Sequence, residues 1–592
     1  MRNRFLEYYS EELEALRGRA GRFADAFPKI AGRLRLSPET SDDPHVERLV
    51  QSFAYSTARL RQKLDDSLPE LSDGLLETLY PHYLAPVPAM TVLAIAPDPE
   101  ADAQQILPRG TQIDSERVEG DICRFSTTQD VALAPIRIES VRMMNRPIEA
   151  PALPGASPAG CLRITLVPMG KTPISELGLT RFRFFAAGSA RQAQTLHAHL
   201  MQHVTRVAVA AHGSDSSARF LPSSALKPVG FTVDEALLPS PEGAFPGYRL
   251  LTEFFALPEK FLFFDIETGP ISQTDRLDLY LYLDKAPDSL EQQVSRQSLL
   301  LGATPVVNLF ETRAEPVVLD GTRASFPLLA DARRADTRQV HSITRITLSD
   351  AAGQTMPAWP FFHRISDRAR EGVFYQIDRS TRTSNAAARR ASIAFVDSRG
   401  EATAPGELTA GIDILATNGA LPRALPFGGG QPRLRFASPV EGAGAITCLR
   451  PISLPDRTDH SGDHRWQLMS HLSLNHLSLE TEGAAALKGI LRLYDPGDSR
   501  ETAQMIDAIH EARSKPAIAR LSGVVVSGVD ITLTLDPDQI EPGRAMLFSS
   551  VIDHFLGAYT TLNTFTRMRV RLKDRADTLA QFAARSGEQP LI

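Results

Sequence analysis

The densest group of residues able to hold a metal or move a proton lies late in the chain, where Asp459-His460-Ser461-Gly462-Asp463-His464 is followed by His471 and His476. Imidazole and carboxylate in that mixture suit a first-row transition metal, so a metal-dependent hydrolase using the His460, His464 and His471 region is one reading of the chain. Pro455 and Gly462 punctuate the same segment, which reads first as a polar loop open to solvent. Met169-Gly170-Lys171-Thr172 has the tail of a phosphate-binding loop, but Thr165 stands where the first glycine is needed and Pro168 removes an N–H from the cradle. Gly428-Gly429-Gly430 runs into Gln431-Pro432 where a dinucleotide loop would open a helix, and reads as a turn. HExxH, GxSxG and CxxC do not occur, and Cys123, Cys161 and Cys448 are the three cysteines, far apart. That spacing excludes a thiolate zinc site and suits a reducing compartment. No acid and base stand paired. The expectation is a non-enzyme with no cofactor, no metal and no catalytic residue.

The elements around these residues are ordinary in composition. In 592 residues, 43% hydrophobic and 23% charged content mark globular protein, while 42 prolines and 38 glycines call for many short elements. The length asks for several domains. Lys and Arg total 64 against 70 Asp and Glu, a net charge of −6 without a long basic block, which argues against nucleic acid as a partner. The charged N-terminus lacks the apolar core of a signal peptide, and no run approaches 18 apolar residues, so direct membrane insertion is not expected and the chain reads as cytoplasmic.

Leu6, Tyr9, Leu13, Leu16, Ala20, Phe23 and Phe27 alternate spacings of three and four, a coiled-coil-like seam on a helix over 4–27. Asp43-Pro44 supplies a cap and first-turn pair for a second helix, in which Val46, Val50, Phe53, Thr57, Leu60 and Leu64 repeat the alternation. A third helix is expected over 70–80, before Pro81, Pro86 and Pro88. The two seams either pack on each other or are completed by another chain's helices. From Met90 the apolar period falls to two, giving strands in MTVLAIA, ILPRGTQID, ICRFSTTQDVAL and IRIESVRM, with a further strand over 181–185 and a helix over 190–202. Gly247 to Glu267, GYRLLTEFFALPEKFLFFDIE, reads as a core: a short amphipathic helix, a stop at Pro258 and a doubly covered strand over 261–266. Trp359, Phe361 and Phe362, which would have to be exposed to bind carbohydrate, are expected inside a β-rich middle. The fold class expected is α+β multidomain: an N-terminal helical segment (1–88), an α+β domain (89–300), a β-rich domain (301–445) and a C-terminal α+β domain (446–592).

The core stretch, with Gly230-Phe231, Leu237-Leu238-Pro239 and Phe245 before it, resembles the signature of the TssF (VasA/ImpG) family of type VI secretion baseplate proteins. So do residues 43–88, Leu107 to Thr111, Thr304 to Phe310, Trp466 to Asn475 and the run from Leu547 to Phe565; Thr417-Asn418 fits, although Gly419-Ala420 departs from the pattern. The resemblance implies a structural role: a wedge of two copies of this chain with one TssG, contacting TssK and TssE, gathered around the VgrG spike, docked to the inner-membrane complex through other subunits, and templating and triggering a contractile sheath. Under that reading Leu6, Tyr9, Leu13, Leu16, Phe23, Phe53 and Leu60 are the expected TssG-binding anchors. Two copies in one wedge also call for hinges near 86–90.

Overall fold

The computed structural model describes separate residues between 9 and 32, residues 43–65, Leu76, and residues 83–587 apart from 154, 156, 240–244, 274, 320–322, 362–371, 380–390, 398–407, 454–482, 496–498, 522–523, 561–563 and 576–577. It divides into two compact units, one of 1–76 with 459–472 and one of the remainder.

In the smaller unit the second expected helix spans Pro44–Asp65. Its start is built as the sequence requires, for the Asp43 carboxylate accepts a hydrogen bond from the His45 N–H at 2.8 Å, satisfying a first-turn donor that has no partner within the helix. The third expected helix, over 70–80, lies outside the described residues except at Leu76, which is helical.

The larger unit is mixed α and β and rich in antiparallel sheet. Met90–Pro97 lies inside a six-stranded sheet, between Ala303–Val307 and Ala443–Cys448. The expected strand ILPRGTQID is two, Gln105–Leu107 and Gln112–Val118. The break falls at Pro108-Arg109-Gly110, where Pro108 has no N–H to give and Gly110 turns with φ +86°. ICRFSTTQDVAL likewise divides into Asp121–Thr127 and Val131–Leu133. Along Ile136–Asn145 the buried positions run 136, 138, 141, 143, and the slip of phase coincides with a bulge between Ile138 and Ser140.

A five-stranded sheet (Arg219–Pro222, Val204–Ala210, Leu277–Leu283, Gly160–Pro168, Ile136–Asn145) and a four-stranded one (Leu226–Pro228, Phe263–Glu267, Arg181–Ala186, Leu299–Leu300) share one core with the helix Ala190–His203. Phe184 and Phe264 stack there at 5.6 Å, beneath Leu196 and Leu200. An eight-stranded sheet, centred on Gln339–Ser349 and Leu408–Thr417, holds a separate core of its own. On it Trp359 is 42% exposed, contrary to expectation, because the buried face of its strand belongs to Ala358. Phe361 meets Phe374 edge-on, and Phe362 lies outside the described residues.

The C-terminal part sets the helices Ala484–Leu493, Arg500–Asp507 and Pro542–Gly557 beside a sheet of Ile509–Leu521, Val524–Leu535, Thr564–Leu572 and Thr578–Gln581.

Candidate interaction surfaces and the cluster behind them

The seam expected on Pro44–Asp65 is divided. Ala54 and Ala58 are fully buried, Val46, Val50 and Thr57 are half-buried, and Phe53 stands 61% exposed one turn from Leu49 at 72%. Leu49 and Phe53, four residues apart, share a helix face. Arg17 and Glu47 join across the same unit at 2.6 Å. Of the other anchors, Tyr9, Leu13 and Leu16 are helical and half-buried and Phe23 is helical and exposed. Leu6 lies outside the described residues, and Leu60 lies in the helix with its side chain outside them.

The core stretch forms the helix Pro246–Ala256, a turn over Pro258–Leu262 and the strand Phe263–Glu267. Pro246 opens the helix at its first turn and Leu257 leaves helical geometry before Pro258, as the sequence required. The expectation of one apolar face fails: Tyr248, Arg249, Leu250, Leu251, Thr252, Glu253 and Phe254 are all buried, while Phe255 is only half-buried. The helix Pro542–Gly557 covers one side, with Phe548 stacked on Phe254 at 5.9 Å and Phe555 against Phe245 and Tyr248. Tyr494 lies flat on Tyr248 at 4.7 Å, and the Tyr248 and Tyr559 hydroxyls meet at 3.1 Å.

Inside this aromatic packing sits a charged knot. Glu253, fully buried, accepts hydrogen bonds from the Leu237 and Leu238 N–H groups at 2.9 Å each. Its other oxygen takes the Lys260 ammonium, and Arg249 approaches at 3.7 Å. Burial drives the Lys260 pKa down, Glu253 opposing and Arg249 adding to the fall. Leu237-Leu238-Pro239 is thereby fastened to the core helix by a carboxylate. Beside it Arg183 spans Asp265 at 2.7 Å, Gln129 at 2.5 Å and Glu235 at 3.4 Å.

A second polar knot joins the six- and eight-stranded sheets. Asn418, fully buried, gives its amide hydrogens to the Ile122 and Thr337 carbonyls at 3.1 and 3.3 Å. Its oxygen accepts from Arg124 N–H at 3.0 Å and from the Asn308 amide at 2.8 Å. Asn308 in turn accepts from the Thr417 hydroxyl at 2.8 Å and the Asn418 N–H at 2.7 Å. Sequence reading had singled out both asparagines without joining them.

The residues able to do chemistry are not assembled into a centre among the described residues. No group of three His, Cys, Asp or Glu there could hold a metal; His460, His464, His471 and His476 fall outside the described residues. Cys123 and Cys161 are buried free thiols, and burial pushes Cys123 up to about 12. Met169 spends its N–H on the Pro135 carbonyl at 2.8 Å, so the loop resembling a phosphate cradle is tied to a strand end. Gly428, Gly429 and Gly430 all have positive φ and form a turn closed by Gly428 and Gln431. No helix among the described residues is long and apolar enough to cross a membrane.

The fold combines separate sheets, two of them joined by a buried polar knot, with Leu49 and Phe53 exposed on an N-terminal helix. The chain is similar over 92% of its length to a chain, matched over 99%, of the cryo-electron microscopy structure of a type VI secretion TssK-TssF-TssG baseplate subcomplex, with a TM-score of 0.73 and 25% identity. A chain of a type VI secretion baseplate complex shares the fold at a TM-score of 0.62 and 24% identity, over 99% of this chain and 100% of that one. A family model described as "Type VI secretion system, TssF" matches residues 1–589. The Pseudomonas aeruginosa type VI secretion system component TssF1 is 33% identical over 628 aligned residues, spanning all of both chains. The chain belongs to the TssF family.

Proposed function

We propose that this protein is a structural subunit of a type VI secretion baseplate, acting in the cytoplasm as part of a wedge and carrying no catalytic centre. The observation that supports the reading is the match to the TssF family along the whole chain, together with the likeness to a chain solved in complex with TssK and TssG. In this reading two copies assemble with one TssG, contact TssK and TssE, gather around the VgrG spike, dock to the inner membrane through other subunits, and template and trigger the sheath. Residues 1–88 form the TssG-binding bundle; 89–300, 301–445 and 446–592 form the body that holds its place in the wedge. Leu6, Tyr9, Leu13, Leu16, Phe23, Phe53 and Leu60 are the anchors, and Leu49 joins them because it stands beside Phe53 and is the more exposed. The hinge between the two copies' conformations lies near 86–90, beside the point where the Ala89 carbonyl accepts from Asn308 N–H at 2.8 Å and the Met90 N–H is given to Ser453.

The test is co-expression with the cognate TssG, followed by size-exclusion chromatography with mass determination, for the intact chain and for a version lacking 1–88. A 2:1 complex formed by the intact chain alone is expected. Binding by the shortened chain would return the seams to an internal hairpin, and no binding by either would remove the wedge role.

A further inference from the structure

The first two strands of the C-terminal sheet run past the third. Val524–Leu535 pairs with Ile509–Leu521 along its whole length, but with Thr564–Leu572 only from Ser527 onward. Val524, Val525 and Val526 therefore have a strand neighbour on one side alone, in Leu521, Arg520 and Ala519, and this arm projects ~10 Å at ~3.3 Å per residue. Side chains alternate along a strand, so Ile518 and Val525 share one face of the arm and Ala519, Val524 and Val526 the other. Ile518 is 74% exposed, Val525 68% and Val524 64%. The Ile518 face continues the one that buries Ala512, Ile531 and Leu533 farther down the hairpin. A two-stranded ribbon is marginal in water, and strands apolar on both faces are those that packing covers on both sides.

At the root of the arm, the Val524 face turns basic. Lys515, Asp530 and Arg567 lie in one row across the three strands, Arg513, Thr532 and Arg569 in the next, and Glu511, Thr534 and Arg571 in the one after. Glu511 is paired with Arg513 at 2.6 Å and Asp530 with Arg567 at 2.8 Å. Lys515, Arg569 and Arg571 are exposed and form no ion pair among the described residues. These neighbours choose between occupants. A two-fold contact with a second copy would set cation against cation, because both carboxylates in these rows are already taken. A hairpin seated in a bilayer, or one that stacks nucleic-acid bases, would draw on aromatic side chains, and residues 511–535 contain none.

We propose that the arm inserts into an apolar slot of a partner polypeptide whose rim carries carboxylates that meet Lys515, Arg569 and Arg571. The partner is a subunit of the complex with TssG and TssK, so the inference rests on the function proposed above. Hydrogen exchange is measured on the intact chain alone and in that complex. Amides over 518–520 and 524–526 should exchange at least ~10-fold more slowly in the complex.

Ile518→Ser with Val525→Ser removes apolar surface that already stands in solvent, and Arg569→Glu with Arg571→Glu reverses exposed charges. Circular dichroism confirms that each pair is folded. Each should abolish the protection, and Arg569→Lys with Arg571→Lys should keep it. Protection that either the serine or the glutamate pair leaves intact, or that the wild-type complex lacks, would overturn the proposal. Binding of the chain alone to phosphatidylglycerol vesicles, or its self-association in sedimentation velocity, would also overturn it if the serine pair abolished that binding, handing the arm to lipid or to a second copy. A complex that forms without protecting the arm sinks this inference alone; failure of any complex to form sinks the baseplate reading with it.

Discussion

Glu253→Gln is the most informative single change. Gln retains an oxygen for the Leu237 and Leu238 N–H groups, so the loop contact at 2.9 Å can survive. What is lost is the negative charge facing Lys260 and Arg249, in a place where Lys260 and Glu253 are 1% and 0% exposed. Breaking a buried pair by removing one partner costs about 3–5 kcal/mol. Because burial already drives Lys260 toward its neutral form, shedding its proton relieves part of that, and the lower end, about 3 kcal/mol, is expected. Lys260→Met should cost far less, since Glu253 keeps Arg249 and two backbone donors, and a buried ion replaced by an apolar chain of similar volume is often tolerated. The double variant Glu253→Gln with Lys260→Met should therefore be more stable than Glu253→Gln alone. Urea midpoints followed by circular dichroism give the cycle, and hydrogen exchange at 237–238 reports the loop. A Glu253→Gln protein within about 1 kcal/mol of wild type, or strictly additive single changes, would refute the reasoning that the charge is what holds the knot.

Leu49→Ala with Phe53→Ala removes side chains that are mostly in solvent, so the thermal midpoint should move little, while TssG binding, read by co-purification, should fall at least ~10-fold, about 1.4 kcal/mol; a stability loss without a binding loss would reverse the assignment. Asn418→Ala deletes four hydrogen bonds in a fully buried site and should cost about 3 kcal/mol or more, measured by denaturant midpoint. Burial holds the His197 and His554 imidazoles down to about 4 and about 3, below the ~6.5 of an unfolded chain. The unfolded chain binds the extra protons, so the stability they allow is complete above ~pH 6.5 and is lost as pH falls toward 4, by up to about 1.4 kcal/mol per pH unit for each. Asp553, raised by burial, works in the opposite sense and softens the slope. His554→Gln should flatten the midpoint-against-pH curve in that window, and an unchanged slope would contradict it.

Local period carried much of the fold. Strands such as Met90–Pro97 and Ile136–Asn145, the helix Ala190–His203 and the break at Pro258 are written in spacings of two or four and in single prolines, signals that need no knowledge of the rest of the chain. The pairing of Ala443–Cys448 with Met90–Pro97 has no such signal, because partners some 350 residues apart are chosen by the shape of the whole sheet. The same limit hid the site-forming polar residues. Arg249 and Glu253 lie four apart on a helix whose amphipathic reading leaves one face to water, and Lys260 follows in the turn after Pro258. Tertiary packing closes that face with the Leu237-Leu238 loop on Glu253, while the helix Pro542–Gly557 and Tyr494 cover the neighbouring Phe254 and Tyr248. A charge that is expensive to bury is kept there because its hydrogen bonds bind two segments that apolar contact alone would leave free to slide. Where a protein works by holding position, such knots do what an active site does in an enzyme. They are found by asking which buried charges have partners from another segment, a question that a one-dimensional pattern poses but only the fold answers.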